Sequence, residues 1–311
     1  MTCSVKTNNK EQLVQLKRML AMELSQLRIF QAVAEEGSIA KAAVRMSRVP
    51  SNLSTRLRQL EEALGVDLFL RERQRLQLSA AGKVLLGYAE RMFKLQAEAE
   101  AALKGGEPAG DFVIGSMYST AAIHLPGMLA RFHRAWPAVN LQVQTLPSGE
   151  LIEGLVSGKL DAALVDGPMD YAELDGLPLF EETLVLITSL GHAPVASAAD
   201  VLGEAVYSFR PRCSYRKRIE SWFAAARVPM GQIMEIESYH SMLACVVAGG
   251  GVALMPLSML QTLPGREAVA VHHLAEPFDH TTTWLMWRKG MLGANLKAWI
   301  EVMGVEPMQP A

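Results

Sequence analysis

The hydrophobic pattern of this 311-residue chain changes its period at residues 105–110. Before this point, apolar residues recur at helical spacing. After it, short apolar runs of strand length alternate with helical runs. The sequence Gly-Gly-Glu-Pro-Ala-Gly at the change is typical of a hinge. The pattern therefore predicts a mainly helical N-terminal part and a larger α/β part.

The N-terminal part is predicted to contain three helices followed by a small hairpin. Gly37 ends the first helix and Ser38 caps the second. Ser47 is expected to cap the third, which carries Pro50 in its first turn. One face of this third helix is an apolar stripe of Leu53, Leu57, Leu60 and Leu64. Residues 67–79 alternate around a charged tip, as expected for a wing-like hairpin.

The opposite face of the third helix is polar and suits the major groove of DNA. The net charge is only −2, but residues 38–58 include five basic residues and no acidic one. Base contacts are expected from Ser51, Asn52, Thr55 and Arg56. Phosphate contacts are expected from Arg48, Arg58, Arg71, Arg73 and Arg75. The alternative is a solvated helix face whose charge is incidental.

A long helix with a heptad pattern is predicted from Gly82 to about Leu103. Its seam comprises Leu85, Tyr88, Met92, Leu95, Ala99 and Ala102. A single helix with such a seam needs an apolar partner, so we expect this helix to pair with a second copy of the chain.

The C-terminal part is predicted to be an α/β fold with mostly parallel strands. The strand candidates are Phe112–Gly115, Leu141–Thr145, Ala162–Val165, Leu184–Thr188, Ala205–Ser208, Ile233–Ile236 and Val252–Met255. Helical runs lie between most of them.

Several of these segments resemble the LysR-type transcriptional regulators. In the N-terminal part they are "LRIFQAVAEEGSIAKAA", "SNLSTRLRQLEEALGVDLFLR" and "RLQLSAAG". In the C-terminal part they are "LPGMLARFHRAWPAVNLQV", "LVSGKLDAALVDGP" and "VVAGGGVALMP". The resemblance covers nearly the whole chain from Met22. Family members often have glutamine where this chain has Pro50, so base reading is expected to rest on the neighbouring polar residues.

The resemblance implies a fold, partners and a function. It implies an N-terminal, all-α winged helix-turn-helix with a long linker helix, and an effector domain of two Rossmann-like lobes, as in periplasmic binding proteins. The expected boundaries are 1–21 for an N-terminal extension, 22–81 for the DNA-binding domain, 82–104 for the linker helix, and 110–304 for the effector domain (lobe 1 about 110–180 and 270–304, lobe 2 about 181–269). The implied partners are double-stranded promoter DNA, a small-molecule effector and further copies of the chain, as a homodimer or homotetramer.

Polar residues follow three predicted strands, where ligands of doubly wound sheets bind. The candidates for effector contact there are Ser116, Ser119, Thr120, Ser148 and Asp166. For each hydroxyl, the alternative is simple helix capping. The cleft position that is usual in the family favours the four hydroxyl residues as ligand contacts.

An arginine-rich loop before an expected helix at Ile219–Ala226 is predicted to clamp an anion. Its candidate residues are Arg210, Ser214 and Arg216, and Tyr239 is a further candidate beyond it. A carboxylate-bearing effector would suit such a clamp. The alternative is that the arginines are exposed or pair with Glu181, Glu182 or Glu220.

The remaining features predict a cytoplasmic protein without a cofactor or metal. Cys3, Cys213 and Cys245 are too widely spaced for a disulfide framework, and the seven histidines are scattered. The cations around Cys213 are expected to favour its thiolate, although a redox role is only a minor alternative. The sequence has no apolar run of membrane-spanning length and no signal peptide, so we expect no membrane partner.

Two other classes of function share some of these features. A solute-binding protein has the same two-lobed fold, but the basic N-terminal part and the absence of a signal peptide disfavour it. An enzyme acting in the cleft is disfavoured because no nucleophile, base and orienting residue stand in a recognisable pattern.

Overall fold

The computed structural model describes residues 22–72, 75–103, 106–167 and 171–304, apart from some side chains at the edges of these ranges. The chain forms two compact units, Met1–Leu103 and Lys104–Ala311. The predicted N-terminal extension, residues 1–21, and Cys3 within it lie outside the described residues.

The first unit is a winged helix-turn-helix. Helices α1 (Leu24–Glu36), α2 (Ile39–Arg45) and α3 (Pro50–Leu64) are followed by the hairpin β1 (Phe69–Glu72) and β2 (Arg75–Leu78), and then by α4 (Ala80–Leu103). The left-handed residues Gly37 and Gly65 end α1 and α3, at φ angles of 60° and 70°. Because of the hairpin, this unit is not all-helical.

The start of α3 differs from the sequence prediction. Ser47 does not cap the helix but lies in the turn before it, with a φ of 53°. Val49 is the N-cap residue and makes no side-chain capping bond, and Pro50 occupies the start of the helix. Leu53, Leu57 and Leu60 are buried, as the apolar stripe predicted, and they pack with Phe30 of α1 and Leu68 near the hairpin.

Helix α4 is partly buried by its own unit. It begins at Ala80 rather than Gly82, since the Ser79 hydroxyl accepts a hydrogen bond of 2.9 Å from the Gly82 amide. Leu85 and Met92 of the predicted seam pack against the core of the first unit. Part of the predicted seam is therefore buried within one chain, and the pairing of α4 with a second chain stays a prediction. Exposed apolar residues of α4 are Val84, Tyr88 and Leu95.

The second unit contains one mixed sheet of two lobes. Its strands are β3 (Gly110–Ser116), β4 (Val139–Thr145), β5 (Ala162–Gly167), β6 (Leu174–Ser189), β7 (Val206–Ser208), β8 (Ile233–Glu235), β9 (Val252–Pro256), β10 (Val269–His273) and β11 (His280–Arg288). They follow the order β4-β3-β5-β11-β6-β9-β7-β8, and β10 also pairs with β6.

The sheet is less parallel than its sequence predicted. Strands β3, β4 and β5 form one parallel block, and β7, β8 and β9 form another. Between them, β6, β10 and β11 pair antiparallel with their neighbours. Two connecting strands were missed: β10, and β11 with its run of three threonines.

Helices cover both faces of each lobe. They are α5 (Tyr118–Ile123), α6 (Leu125–Ala135), α7 (Ser148–Ser157), α8 (Ser214–Ala225), α9 (Tyr239–Val247), α10 (Leu257–Thr262) and α11 (Ala294–Met303). Lobe 1 packs around Phe112, Phe132 and Trp299 on one face of its sheet. Lobe 2 contains two further cores, one around Trp222 and Phe223 and one around α9.

Strand β6 is shared by the two lobes. Its residues 174–183 pair with β11, and residues 184–189 pair with β9 and β10. The exits of β3 and β4 in lobe 1 and of β7 in lobe 2 meet at one cleft, where the cavity described below lies.

Candidate functional site

The exposed face of α3 carries the polar residues expected to read DNA bases. Ser51, Asn52 and Thr55 are all exposed. Arg56 is half-buried and lies 3.5 Å from Glu23, measured from Nη1 to Oε2. A helix face with this mixture can donate to and accept from base edges in the major groove.

The cations beside this face are also accessible. Arg48 and Arg58 are exposed, and Arg58 pairs with Glu62 at 3.4 Å one turn along the helix. Exposed ion pairs contribute little free energy, so a phosphate can displace the glutamates without a large cost. Arg73 and the side chains of Arg71 and Arg75 lie outside the described part of the structure.

A cavity lies between the two lobes of the second unit. It has a volume of about 250 Å³, part of which is open to solvent. The lining residues are Met117, Tyr118, Ser119, Leu146, Pro147 and Ser148 from lobe 1, and Phe209, Cys213, Ser214, Tyr215 and Tyr239 from lobe 2. The cavity thus has walls from both lobes.

Two helices begin at the cavity from opposite sides. Helix α7 begins at Ser148 and α8 begins at Ser214, and no side-chain oxygen caps either of them. The Ser148 hydroxyl donates to the Ser214 hydroxyl at 3.3 Å, which links the lobes. Several first-turn amides have partners within the chain: the Gly149 amide donates to the Arg212 carbonyl at 3.3 Å, and those of Tyr215 and Arg216 are directed at the Cys213 sulfur. The positive ends of the two helix dipoles, together with the hydroxyl groups, favour an anionic or strongly accepting group.

The other walls are aromatic. Tyr118 of lobe 1 stacks on Phe209 of lobe 2 with ring centroids 5.4 Å apart, and Phe209 meets Tyr239 edge-on at 4.9 Å. The Tyr215 hydroxyl lies 3.5 Å from the Ser119 hydroxyl. Burial raises the pKa of both Tyr215 and Tyr239, so both phenols are neutral donors at physiological pH.

Three residues predicted to contact the effector lie outside the cavity lining. The buried Ser116 hydroxyl donates to the Met117 carbonyl at 3.1 Å. The Thr120 hydroxyl is buried and has no hydrogen-bond partner among the described residues. Asp166 accepts from Arg218 at 3.3 Å and from Thr281, so its charge is paired across the lobes.

The structure also does not bring Arg210 or Arg216 into the cavity lining. Arg216 lies in the first turn of α8, because this helix begins at Ser214 and not at Ile219 as predicted. It pairs with Glu220 at 3.0 Å and with Glu235 at 2.7 Å. Arg210 pairs with Glu150 and Glu237, each at 3.3 Å. Both guanidinium groups therefore have carboxylate partners within the chain.

Cys213 lines the cavity, and its thiol is less acidic than that of a free cysteine. Burial raises the pKa of its thiol, and the amides of Arg216 and Tyr215 oppose this only in part. The prediction that neighbouring cations favour the thiolate is therefore wrong, because desolvation outweighs them.

Several lining residues were missed by the sequence prediction. They are Met117, Tyr118, Leu146, Pro147, Phe209 and Tyr215. Four of them, Met117, Tyr118, Pro147 and Tyr215, directly adjoin a predicted serine. A rule that includes the neighbours of each predicted serine would have found these four, but not Leu146 or Phe209.

The described residues contain neither a metal-binding cluster nor a membrane-spanning helix. Within residues 22–72, 75–103, 106–167 and 171–304, no group of three or more histidine, cysteine or acidic residues is placed to hold a metal ion. No helix among these residues is long and apolar enough to cross a membrane.

Two family models match the chain. The model described as "Bacterial regulatory helix-turn-helix protein, lysR family" matches residues 24–83, and "LysR substrate binding domain" matches residues 105–305. The chain belongs to the LysR family. Membership confirms the resemblance found in the motifs and the predicted combination of DNA-binding and two-lobed effector domains.

Curated relatives of this LysR-family protein carry regulator names. It is 34% identical to "Uncharacterized HTH-type transcriptional regulator YusT" of Bacillus subtilis (strain 168), over 86% of this chain and 90% of the relative. It is 35% identical to the regulator YofA of the same strain, over 86% and 93%. The protein is thus a LysR-type DNA-binding transcriptional regulator with an effector-binding domain.

Solved structures show the same fold. A full-length single-residue variant of OxyR from Pseudomonas aeruginosa matches with a TM-score of 0.68 and 20% identity, covering 91% of this chain and 93% of that one. Full-length CbnR in complex with its target DNA matches with a TM-score of 0.63 and 23% identity, covering 91% and 99%. At these identities the likeness concerns the fold alone.

Proposed function

We propose that this LysR-family regulator binds promoter DNA through α3 and the wing, and that a small anionic molecule in the interlobe cavity alters this binding. The cavity with walls from both lobes carries the proposal, because a ligand there favours one lobe arrangement over another. The protein acts in the cytoplasm as a homodimer or homotetramer, without a cofactor.

The chemistry of the cavity supports a compact effector with one carboxylate or similar anion. Two helix N-termini and the hydroxyls of Ser119, Ser148 and Ser214 suit the anion. The rings of Tyr118, Phe209 and Tyr239 suit an apolar remainder. The arginines first expected to form the clamp are not needed, since Arg210 and Arg216 already have glutamate partners.

The effector part is tested by ligand-induced stabilisation of the full-length protein. We expect a panel of organic acids and amino acids to include molecules that raise the melting temperature in proportion to concentration. Ser214→Ala and Ser148→Ala should each raise the Kd of such a ligand about ten-fold, since each substitution removes a hydroxyl group that donates a hydrogen bond to the anion of the ligand.

Ser221→Ala is the matched control, because Ser221 lies on the same helix as Ser214 but bonds outside the cavity, to the Lys217 carbonyl at 2.8 Å. It should bind the ligand as wild type does. Wild-type affinity in both cavity variants would contradict the assignment of the site.

The DNA part is tested by binding to sequences selected from a random library. Asn52→Ala and Arg56→Ala should each cost about 1–3 kcal/mol of binding free energy and relax the base preference at one position. Arg71→Ala should weaken binding to all sequences similarly and reduce the dependence on salt. Affinity that does not change with salt would contradict phosphate contacts.

A further inference from the structure

Val44 and Val49 are the two most exposed valines of the helix-turn-helix. The side chain of Val44 in α2 is 80% exposed, and that of Val49, just before α3, is 63% exposed. Both lie among polar and basic residues. Val49 directly precedes the proposed base-reading residues, whereas Val44 lies on the preceding helix.

Val49 does not serve the stability of its own helix. The N-cap position favours Ser, Thr, Asp or Asn, whose oxygen accepts from a free amide, and valine cannot do so. The side chain also buries little surface in the folded unit. An exposed, β-branched apolar residue at this position therefore has its apolar surface available to a partner.

The surroundings of Val49 indicate which partner this is. Exposed Arg48 precedes it, and Ser51 and Asn52 follow it in the first turn of α3. Residues at the N-terminal end of a recognition helix contact base edges. In the major groove, the apolar group among those edges is the 5-methyl of thymine.

We propose that Val49 determines specificity by packing against the methyl group of a thymine in the recognition sequence. The inference rests on the proposed DNA-binding function and adds a base and a residue to it. It assigns thymine recognition to apolar contact, next to the hydrogen-bonding residues of α3.

The experiment removes each side of this contact in turn, the thymine methyl group or the valine side chain, in the complex of the full-length protein with DNA. A recognition sequence is first selected from random DNA with the wild-type protein. Failure to enrich any sequence would contradict the proposed function itself. Each thymine of the selected half-site is then replaced singly by deoxyuridine, which lacks only the methyl group.

We expect one thymine position at which deoxyuridine raises the wild-type Kd about four-fold, the value of one buried methyl group. In Val49→Ser the same replacement should have no effect, since the contact is already lost. Serine can cap α3, so the variant stays folded, and its melting temperature should equal or exceed that of the wild type.

Val44→Ser is the matched control and should keep the wild-type response to deoxyuridine at every position. Three results would overturn the proposal: no thymine position responds in the wild type, Val49→Ser keeps the full response, or Val44→Ser loses it instead.

Discussion

Cys213 shows how burial decides the chemistry of a residue. Since its thiol pKa is raised by burial, its thiolate fraction at pH 7 is lower than that of a free cysteine. In a protein with Cys3→Ser and Cys245→Ser, the remaining thiol should react slowly with iodoacetamide, and the rate should rise only at a pH above that of a free thiol. A rapid reaction at pH 7 would contradict a raised thiol pKa.

The residues of the cavity could be predicted only in part. Four of the predicted residues do line the cavity: Ser119, Ser148, Ser214 and Tyr239. They could be predicted because polar residues near strand exits are visible in the sequence. Of the partners of Arg210 and Arg216, only Glu220 was named from the sequence, as an alternative to the anion clamp, and it does pair with Arg216. Arg210 pairs with Glu150, 60 residues away, and local sequence does not report such contacts. Apart from these pairs, the arginine-rich segment has the composition of an anion site.

At the scale of elements, local patterns predicted the existence of helices and strands better than their ends. Helix α8 begins five residues before its predicted start at Ile219. Tyr215, Ile219 and Trp222 are buried at helical spacing, so the signal was present, but the basic residues between them concealed it. Strands β10 and β11 were missed because they return to the lobes as antiparallel neighbours, outside the alternation of strand and helix.

The roles of the apolar residues in α4 could not be predicted from the sequence, because these residues belong to two different surfaces of the helix. Leu85 and Met92 face the core of the first unit, and Val84, Tyr88 and Leu95 are exposed. We therefore expect the exposed set to form the contact with a second copy of the chain.

Changing Val84, Tyr88 and Leu95 together to glutamate should give monomers, since three charges would be buried at the interface. The measurement is molar mass in solution by light scattering. Leu85→Glu is the contrasting variant: it should lower the melting temperature by placing a charge in the core. An unchanged mass in the triple variant would place assembly elsewhere in the molecule.

At the scale of the whole molecule, α8 connects the cavity to an ion pair between the two lobes. Its first turn supplies Ser214 and Tyr215 to the cavity, and Arg218, one turn later, pairs with Asp166 of lobe 1. Arg218 also donates to Thr281 at 2.8 Å and to two carbonyl groups. A ligand that displaces α8 therefore also displaces the ion pair between the lobes.

Arg218→Lys should uncouple ligand binding from the response of DNA binding. Lysine keeps the charge but cannot donate to several acceptors as the planar guanidinium does. We expect the ligand Kd to change less than about three-fold, while the ligand-dependent change in DNA affinity falls toward none. Lys217→Ala, which removes an exposed charge from the same helix, should respond as wild type. A full response in Arg218→Lys would show that the ion pair has no part in coupling.

The continuity of β6 has a mechanical consequence. Pulling the lobes apart would break backbone hydrogen bonds of a strand that belongs to both, whereas a change in strand twist leaves these bonds intact. We therefore expect β6 to resist separation of the two lobes and to permit their rotation relative to each other. If the proposed effector acts through the cavity, we therefore expect it to change the angle between the lobes rather than their separation. A change of angle at β6 would give a larger displacement at the far edges β4 and β8.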